Sequence, residues 1–135
     1  MTHRQFTLPQ KVLFKHCDPA GVVFYPRYFE MINDCVEAFF DHAGFPFEKI
    51  LESGGVPTVQ IETAFPAPSR HGDHLKLTLE LTQLGTASLG IAITADAGAE
   101  RRFSATLTLV HIDASGRPKP WTDPMRDALT PYIRS

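Results

Sequence analysis

The sequence predicts an α+β domain in which a curved, five-stranded antiparallel sheet wraps one long helix, with a short helix near the C-terminus. Two patterns carry that prediction. Tyr28, Met31, Ile32, Cys35, Val36, Phe39, Phe40 and Ala43 recur at helical spacing without a break, and so wide an apolar face needs a broad cover. Downstream, Leu75, Leu77, Leu79 and Leu81 alternate with Lys76, Thr78, Glu80 and Thr82, the period of a strand buried on one face. Short turns between successive strands of this kind imply antiparallel pairing. At 135 residues the chain suits a single domain over 1–135.

Taken in order, Leu8, Val12 and Phe14 share one parity over Thr7 to Phe14, interrupted by Pro9, which predicts an edge-type first strand. The stretch His16-Cys17-Asp18-Pro19-Ala20-Gly21 breaks the period with turn chemistry. Pro26 suits the first turn of the long helix, and Gly44 followed by Pro46 stops it. Val56 to Phe65 reads as a less regular strand, ended by Pro66-Ala67-Pro68. Beyond the Leu75–Leu81 strand, Leu89, Ile91, Ile93 and Ala95 mark the next, and Phe103, Ala105, Leu107 and Leu109 the last. Thr122-Asp123-Pro124 has the form of a helix cap, followed by Met125, Leu129 and Ile133 on one side. An open sheet leaves strand edges unpaired, so a homo-oligomer joined through an edge is expected.

Composition narrows the function. Formal charge is −2, so no basic field recruits nucleic acid or anionic lipid. No stretch approaches the ~20 apolar residues of a membrane span, and Met-Thr-His-Arg-Gln-Phe lacks the apolar segment of an export signal. With only Cys17 and Cys35, a cytoplasmic setting with free thiols is expected.

Candidate chemistry gathers in the loop before the long helix, where His16, Cys17, Asp18 and Tyr25 lie close in sequence. An aspartate there can be a turn former only. It is also followed by Ala20, Gly21, Val22, Val23 and Phe24, a greasy neighbourhood in which a carboxylate would be poorly hydrated and reactive. The helix beginning near Tyr25-Pro26 directs unsatisfied N–H groups and its positive end at the loop. Carboxylate facing N–H cluster is an arrangement for acyl chemistry, in which the N–H groups hold an oxyanion while the acid attacks or activates water.

The run Asp18-Pro19-Ala20-Gly21-Val22-Val23-Phe24-Tyr25-Pro26-Arg27-Tyr28, leading straight into the helix, resembles the signature of the 4-hydroxybenzoyl-CoA thioesterase branch of the hotdog-fold acyl-CoA thioesterases. The resemblance implies that Asp18 is the catalytic carboxylate and that the backbone N–H near Tyr25 polarises the thioester carbonyl. It implies dimers joined edge to edge, commonly paired into tetramers, with active sites at the subunit interface. No cofactor is implied. The residues expected to contact substrate are His16, Phe24, Asn33, Val56 and Ser88.

Two positions depart from the family pattern. His16 stands where members often carry a second acid; it either tunes Asp18 or, as the favoured reading, is a solvent-facing strand-end histidine. Asn33 stands where an acid would meet the phenol of a 4-hydroxybenzoyl group, so aromatic and short-to-medium acyl groups remain open. The turn Leu84-Gly85-Thr86-Ala87-Ser88 is neutral, which leaves Arg70, His71, Arg101 and Arg102 as candidates for CoA phosphates.

Other chemistries fit less well. Ser69-Arg70-His71-Gly72-Asp73 has the residue types of a hydrolase triad but no nucleophile elbow. His16 with Asp18, and His71 with His74, lack a third metal ligand. Cys17 is expected to point away from Asp18. Gly54-Gly55 lacks the partners of a phosphate loop. A hydratase would need a His–Asp pair that cannot be assembled. The expected function is hydrolysis of an acyl-CoA; the alternative is a non-catalytic acyl-CoA or acyl-carrier-protein binding module on the same scaffold.

Overall fold

The computed structural model describes residues 3–134, so the outermost residues of the span 1–135 lie outside it. Strand β1 (Phe6–Lys11) is followed by a one-turn 3-10 helix (Phe14–His16), then the long helix α1 (Pro26–His42). A four-residue helix α2 (Phe47–Ile50) and a two-residue strand β2 (Gly54–Gly55) lead to β3 (Thr58–Ala64). Three long strands follow, β4 (His74–Leu84), β5 (Ser88–Ala97) and β6 (Glu100–Val110), then β7 (Ile112–Asp113), α3 (Asp123–Leu129) and a last 3-10 turn (Thr130–Tyr132).

Helix α1 buries Tyr28, Met31, Ile32, Cys35, Val36, Phe39 and Phe40, the predicted stripe but for Ala43, which sits half-buried at the C-cap. Its cover is the concave face of the sheet: Leu75, Leu77, Leu79 and Leu81 from β4, Leu89, Ile91, Ile93 and Ala95 from β5, and Phe103, Ala105, Leu107 and Leu109 from β6 are all buried. Each large side chain so removed from water stabilises the fold by about 1.5–3 kcal/mol before the entropy of ordering is counted. The C-terminal helix forms where predicted but ends at Leu129, so Ile133 lies beyond it and bridges Leu81. Thr122 caps α3 by accepting from the Met125 N–H at 3.3 Å, and Met125 and Leu129 close one end of the core.

Strand order in the sheet is β1-β4-β5-β6-β3, antiparallel throughout. Here the structure departs from a simple run of hairpins. Strands β3 and β4 do not pair; β3 lies beside β6 at one edge and β4 beside β1. The Pro66-Ala67-Pro68 segment cannot form a tight hairpin, so residues 65–73 carry the chain from one edge to the other strand pair. Pro9 sits in the edge strand β1, where its missing N–H is tolerated.

Two local expectations are corrected, and one small element is added. Strand β1 stops at Lys11, and Phe14 is 81% exposed in the 3-10 turn, not inside the sheet. Hydrogen bonds from Val12 N–H to Asp73 O and from Gly72 N–H to Val12 O turn the chain away there. Strand β3 starts at Thr58, with a register shift between Thr58 and Gln60, so Val56 and Phe65 flank it. Finally, β2 and β7 form a small antiparallel ribbon, Gly54 opposite Asp113 and Gly55 opposite Ile112. Its two-residue strands leave no period to read.

Candidate active site

The loop before α1 closes on itself. Cys17 and Val23 form an isolated antiparallel bridge, the Asp18 N–H donates to Val22 O (2.9 Å), and the Gly21 N–H donates to Asp18 O (2.9 Å). Asp-Pro-Ala-Gly supplies what this turn needs: Asp first, Pro second, and at Gly21 a φ of 81°, which other residues resist. One Asp18 carboxylate oxygen accepts the Ala20 N–H at 2.9 Å, an Asx turn. Its other oxygen takes no hydrogen bond or ion pair among the described residues. Asp18 is half-buried, with Pro19, Ala20 and Gly21 exposed. Within one chain the loop is therefore wetter than its apolar sequence suggests.

Tyr25 caps α1 with helical dihedrals, no side-chain cap and no acid in the first turn. Neighbouring backbone donors are occupied: Phe24 N–H by His16 O (2.9 Å), Arg27 N–H by Phe24 O (2.8 Å) and Tyr28 N–H by Tyr25 O (3.1 Å). Pro26 has no N–H. The Tyr25 N–H has no acceptor among the described residues, at the positive end of a 17-residue helix. Phe24 and Tyr25 themselves are 49% and 59% exposed.

His16 is buried at 4% exposure, which corrects the solvent-facing expectation. Its Nδ1 accepts the Leu13 N–H at 2.8 Å and so holds the 3-10 turn, and Asp18 is not its partner. That bond places the proton of the neutral ring on Nε2. Burial, with Lys15 nearby, pushes its pKa below the usual histidine value.

A buried polar cluster ties the loop to the sheet. The Tyr28 hydroxyl donates to Ser69 Oγ at 2.9 Å, and Arg102 Nη1 donates to the same oxygen at 3.2 Å and to Asp73 Oδ2 at 2.7 Å. The Val23 N–H donates to Ser69 O at 2.8 Å, and Val22 bridges Arg70. Hydrogen bonding from Arg102 holds the Asp73 carboxyl below its usual range. Two sequence readings end here. Ser69 is fully buried and saturated, so it meets no substrate; Arg102 is engaged by Asp73 and lies 2.7 Å from Glu100, and Arg101 is paired with Asp96. Arg70 and His71 stay exposed. Nothing local announces these contacts, since the hydrogen-bonded side-chain pairs stand 29 to 41 residues apart.

An apolar cavity of about 380 Å³ opens beside α1. Asn33 and Val36 line it from the helix, and Val56, Phe47, Leu109 and Ile112 from the opposite side. Asn33 also lines a shallow groove with Lys15, Phe29 and Glu30, so one polar side chain joins the cavity to the groove beside the His16 turn. Asn33 and Val56 thus share a cavity. Ser88 does not line it: its carbonyl accepts the Gly85 N–H and the Trp121 indole, at 2.9 and 3.0 Å, securing the β4–β5 turn. Phe65 was missed. Its ring stacks on Tyr28 (5.4 Å between centroids) and meets Tyr25 and Phe29 edge-on at 6.2 and 6.4 Å, an aromatic wall beside the helix tip.

A family model described as the thioesterase-like superfamily matches residues 12–129, from the end of β1 through α3. The chain belongs to the thioesterase-like superfamily. Among superfamily relatives, it is 30% identical over 78 residues to a 4-hydroxybenzoyl-CoA thioesterase of Pseudomonas sp. (strain CBS-3), covering 55% of each chain. It is 29% identical over 80 residues to a 1,4-dihydroxy-2-naphthoyl-CoA hydrolase of Synechocystis sp., covering 58% of each. The matched stretch thus spans little more than half the length of these curated relatives. The crystal structure of a 1,4-dihydroxy-2-naphthoyl-CoA thioesterase from Synechocystis superposes with a TM-score of 0.87 at 22% identity, covering 94% of this chain and 96% of that one. That likeness establishes the fold, the hotdog arrangement expected from the loop signature. Among the described residues no helix is long and apolar enough to cross a membrane.

Proposed function

We propose that this chain is a single-domain acyl-CoA thioesterase that hydrolyses an aromatic or short-to-medium acyl-CoA to the free acid and CoA. One observation carries the reading: the Tyr25 N–H is an unoccupied donor at the tip of α1, next to the loop that presents a free oxygen of Asp18. The N–H polarises the thioester carbonyl and holds the oxyanion as it forms. Asp18 delivers the oxygen, either by attacking as a nucleophile to form a mixed anhydride or by taking a proton from water. The sulfur leaves as CoA thiol. The names of the two curated relatives support an aromatic acyl group. So does the cavity: it is apolar, with Asn33 at its mouth to hydrogen-bond a ring hydroxyl without bringing a charge.

Arg70 and His71 remain the candidates for the CoA phosphates, and the cytoplasm the expected compartment. The enzyme works as a homodimer through β3, whose outer edge is unpaired and exposes Val59 and Ile61. Dimers pair further into tetramers.

Two variants test the mechanism by CoA-thiol release from aryl, short and long acyl-CoAs. Asp18→Asn keeps the Asx-turn acceptor and is expected to lower turnover at least ~100-fold. Tyr25→Pro removes the N–H at a φ of −53°, which proline tolerates, and is expected to lower kcat by ~100-fold or more. Near-wild-type turnover in both would refute the mechanism. Acyl-CoA binding by the wild type with no thiol release would assign a binding module instead.

A further inference from the structure

We infer that Gly55, by lacking a side chain, leaves room in the apolar cavity and thereby selects the size of the acyl terminus, an inference that rests on the thioesterase reading above. The chain has nine glycines, and eight have a backbone or packing reason to be glycine. Five adopt positive φ, and at Gly54, Gly85 and Gly90 an added Cβ would meet another atom at 1.9 to 2.4 Å. Gly54 illustrates the second class: its Cβ would fall 1.9 Å from Ile112 O across the ribbon. Gly55 has neither reason. Its Cβ would meet Leu51 Cδ2 at 3.7 Å, and Ile112 Cγ1 and Pro57 Cδ at 3.8 Å, ordinary contacts.

Gly55 is buried and lines the cavity, as do Leu51, Pro57 and Ile112, the three residues its missing side chain would touch. The unused space therefore belongs to the cavity and not to the ribbon's geometry. No lining residue is charged, so the occupant beside Gly55 is an uncharged ring or alkyl terminus. A methyl placed at position 55 takes room from that terminus while the backbone stays unstrained.

The experiment measures kcat/KM for benzoyl-CoA, 2-naphthoyl-CoA, hexanoyl-CoA and octanoyl-CoA with wild type, Gly55→Ala, Gly55→Val and Leu51→Ala. The preference for the larger over the smaller member of each pair is expected to fall about 10-fold or more in Gly55→Val and less in Gly55→Ala. Leu51 is largely exposed, and Leu51→Ala should move the preference toward the larger acyl group. A Gly55→Val enzyme that melts cooperatively yet keeps the wild-type size preference would overturn the inference. If Gly55→Val does not fold, unchanged preference in both Gly55→Ala and Leu51→Ala would overturn it equally. Failure of the thioesterase reading looks different: the wild type then releases thiol from none of the four. Calorimetric affinities for the same acyl-CoAs would then take the place of kcat/KM, and the same comparison decides.

Discussion

His16 combines two roles in one imidazole: it fills a buried site beside the Asp18 turn, and its unprotonated Nδ1 holds the Leu13 N–H. Protonation would turn that acceptor into a donor facing a donor. Since the folded pKa lies below the unfolded value of ~6.5, the unfolded chain binds the proton more readily. Stability should therefore fall as pH drops below ~6.5, and level off once pH has passed the folded pKa. Urea unfolding across pH 5–8 is the check; His16→Gln should flatten the profile in that window. The turn around Asp18 was legible because Asp-Pro-Ala-Gly encodes it locally. The burial of His16 was not, because a histidine after a strand has the same sequence signature whether water or Leu13 meets its ring.

Among elements, α1 and strands β4 to β6 were legible to within a few residues, since each repeats its apolar period often enough to outvote exceptions. The ribbon β2–β7 and helix α2 were not, as two to four residues carry no period. Nor was the sheet order, because pairing β3 with β6 is decided by contacts 40 to 51 residues apart along the chain. The crossing segment 65–73 matters to the site for that reason. It brings Ser69 against Val23 of the Asp18 loop and Asp73 against Val12, and Arg102 ties the two together. Arg102→Met should cost about 2 kcal/mol, since it leaves Asp73 and Ser69 short of a charged donor. Chemical denaturation measures that loss. Acyl-CoA turnover should fall further than the unfolded fraction explains, because the loop beside the helix tip loses an anchor.

For the whole molecule, an open sheet must do something with its edges. The β1 edge carries Pro9 and Lys11, both poor partners for another strand. The β3 edge carries Val59 at 60% and Ile61 at 39% exposure, an inviting one. Ile61→Asp is expected to dissociate the proposed homodimer, read as a halved mass by light scattering. Loss of turnover with dissociation would place part of the site on the partner subunit.

The two thiols of this chain differ in one respect that makes them useful together. Cys35 is sealed between α1 and the sheet, with burial raising its pKa to about 12, while Cys17 sits half-exposed beside Asp18 with its Sγ 3.6 Å from Leu13 O. An alkylating dye added to the native protein meets only Cys17, and so reports on the state of the Asp18 turn beside it. Cys35 reacts only when the fold comes apart, and so times global opening. One reagent on unaltered protein thus keeps two clocks, one for local opening of the loop and one for unfolding.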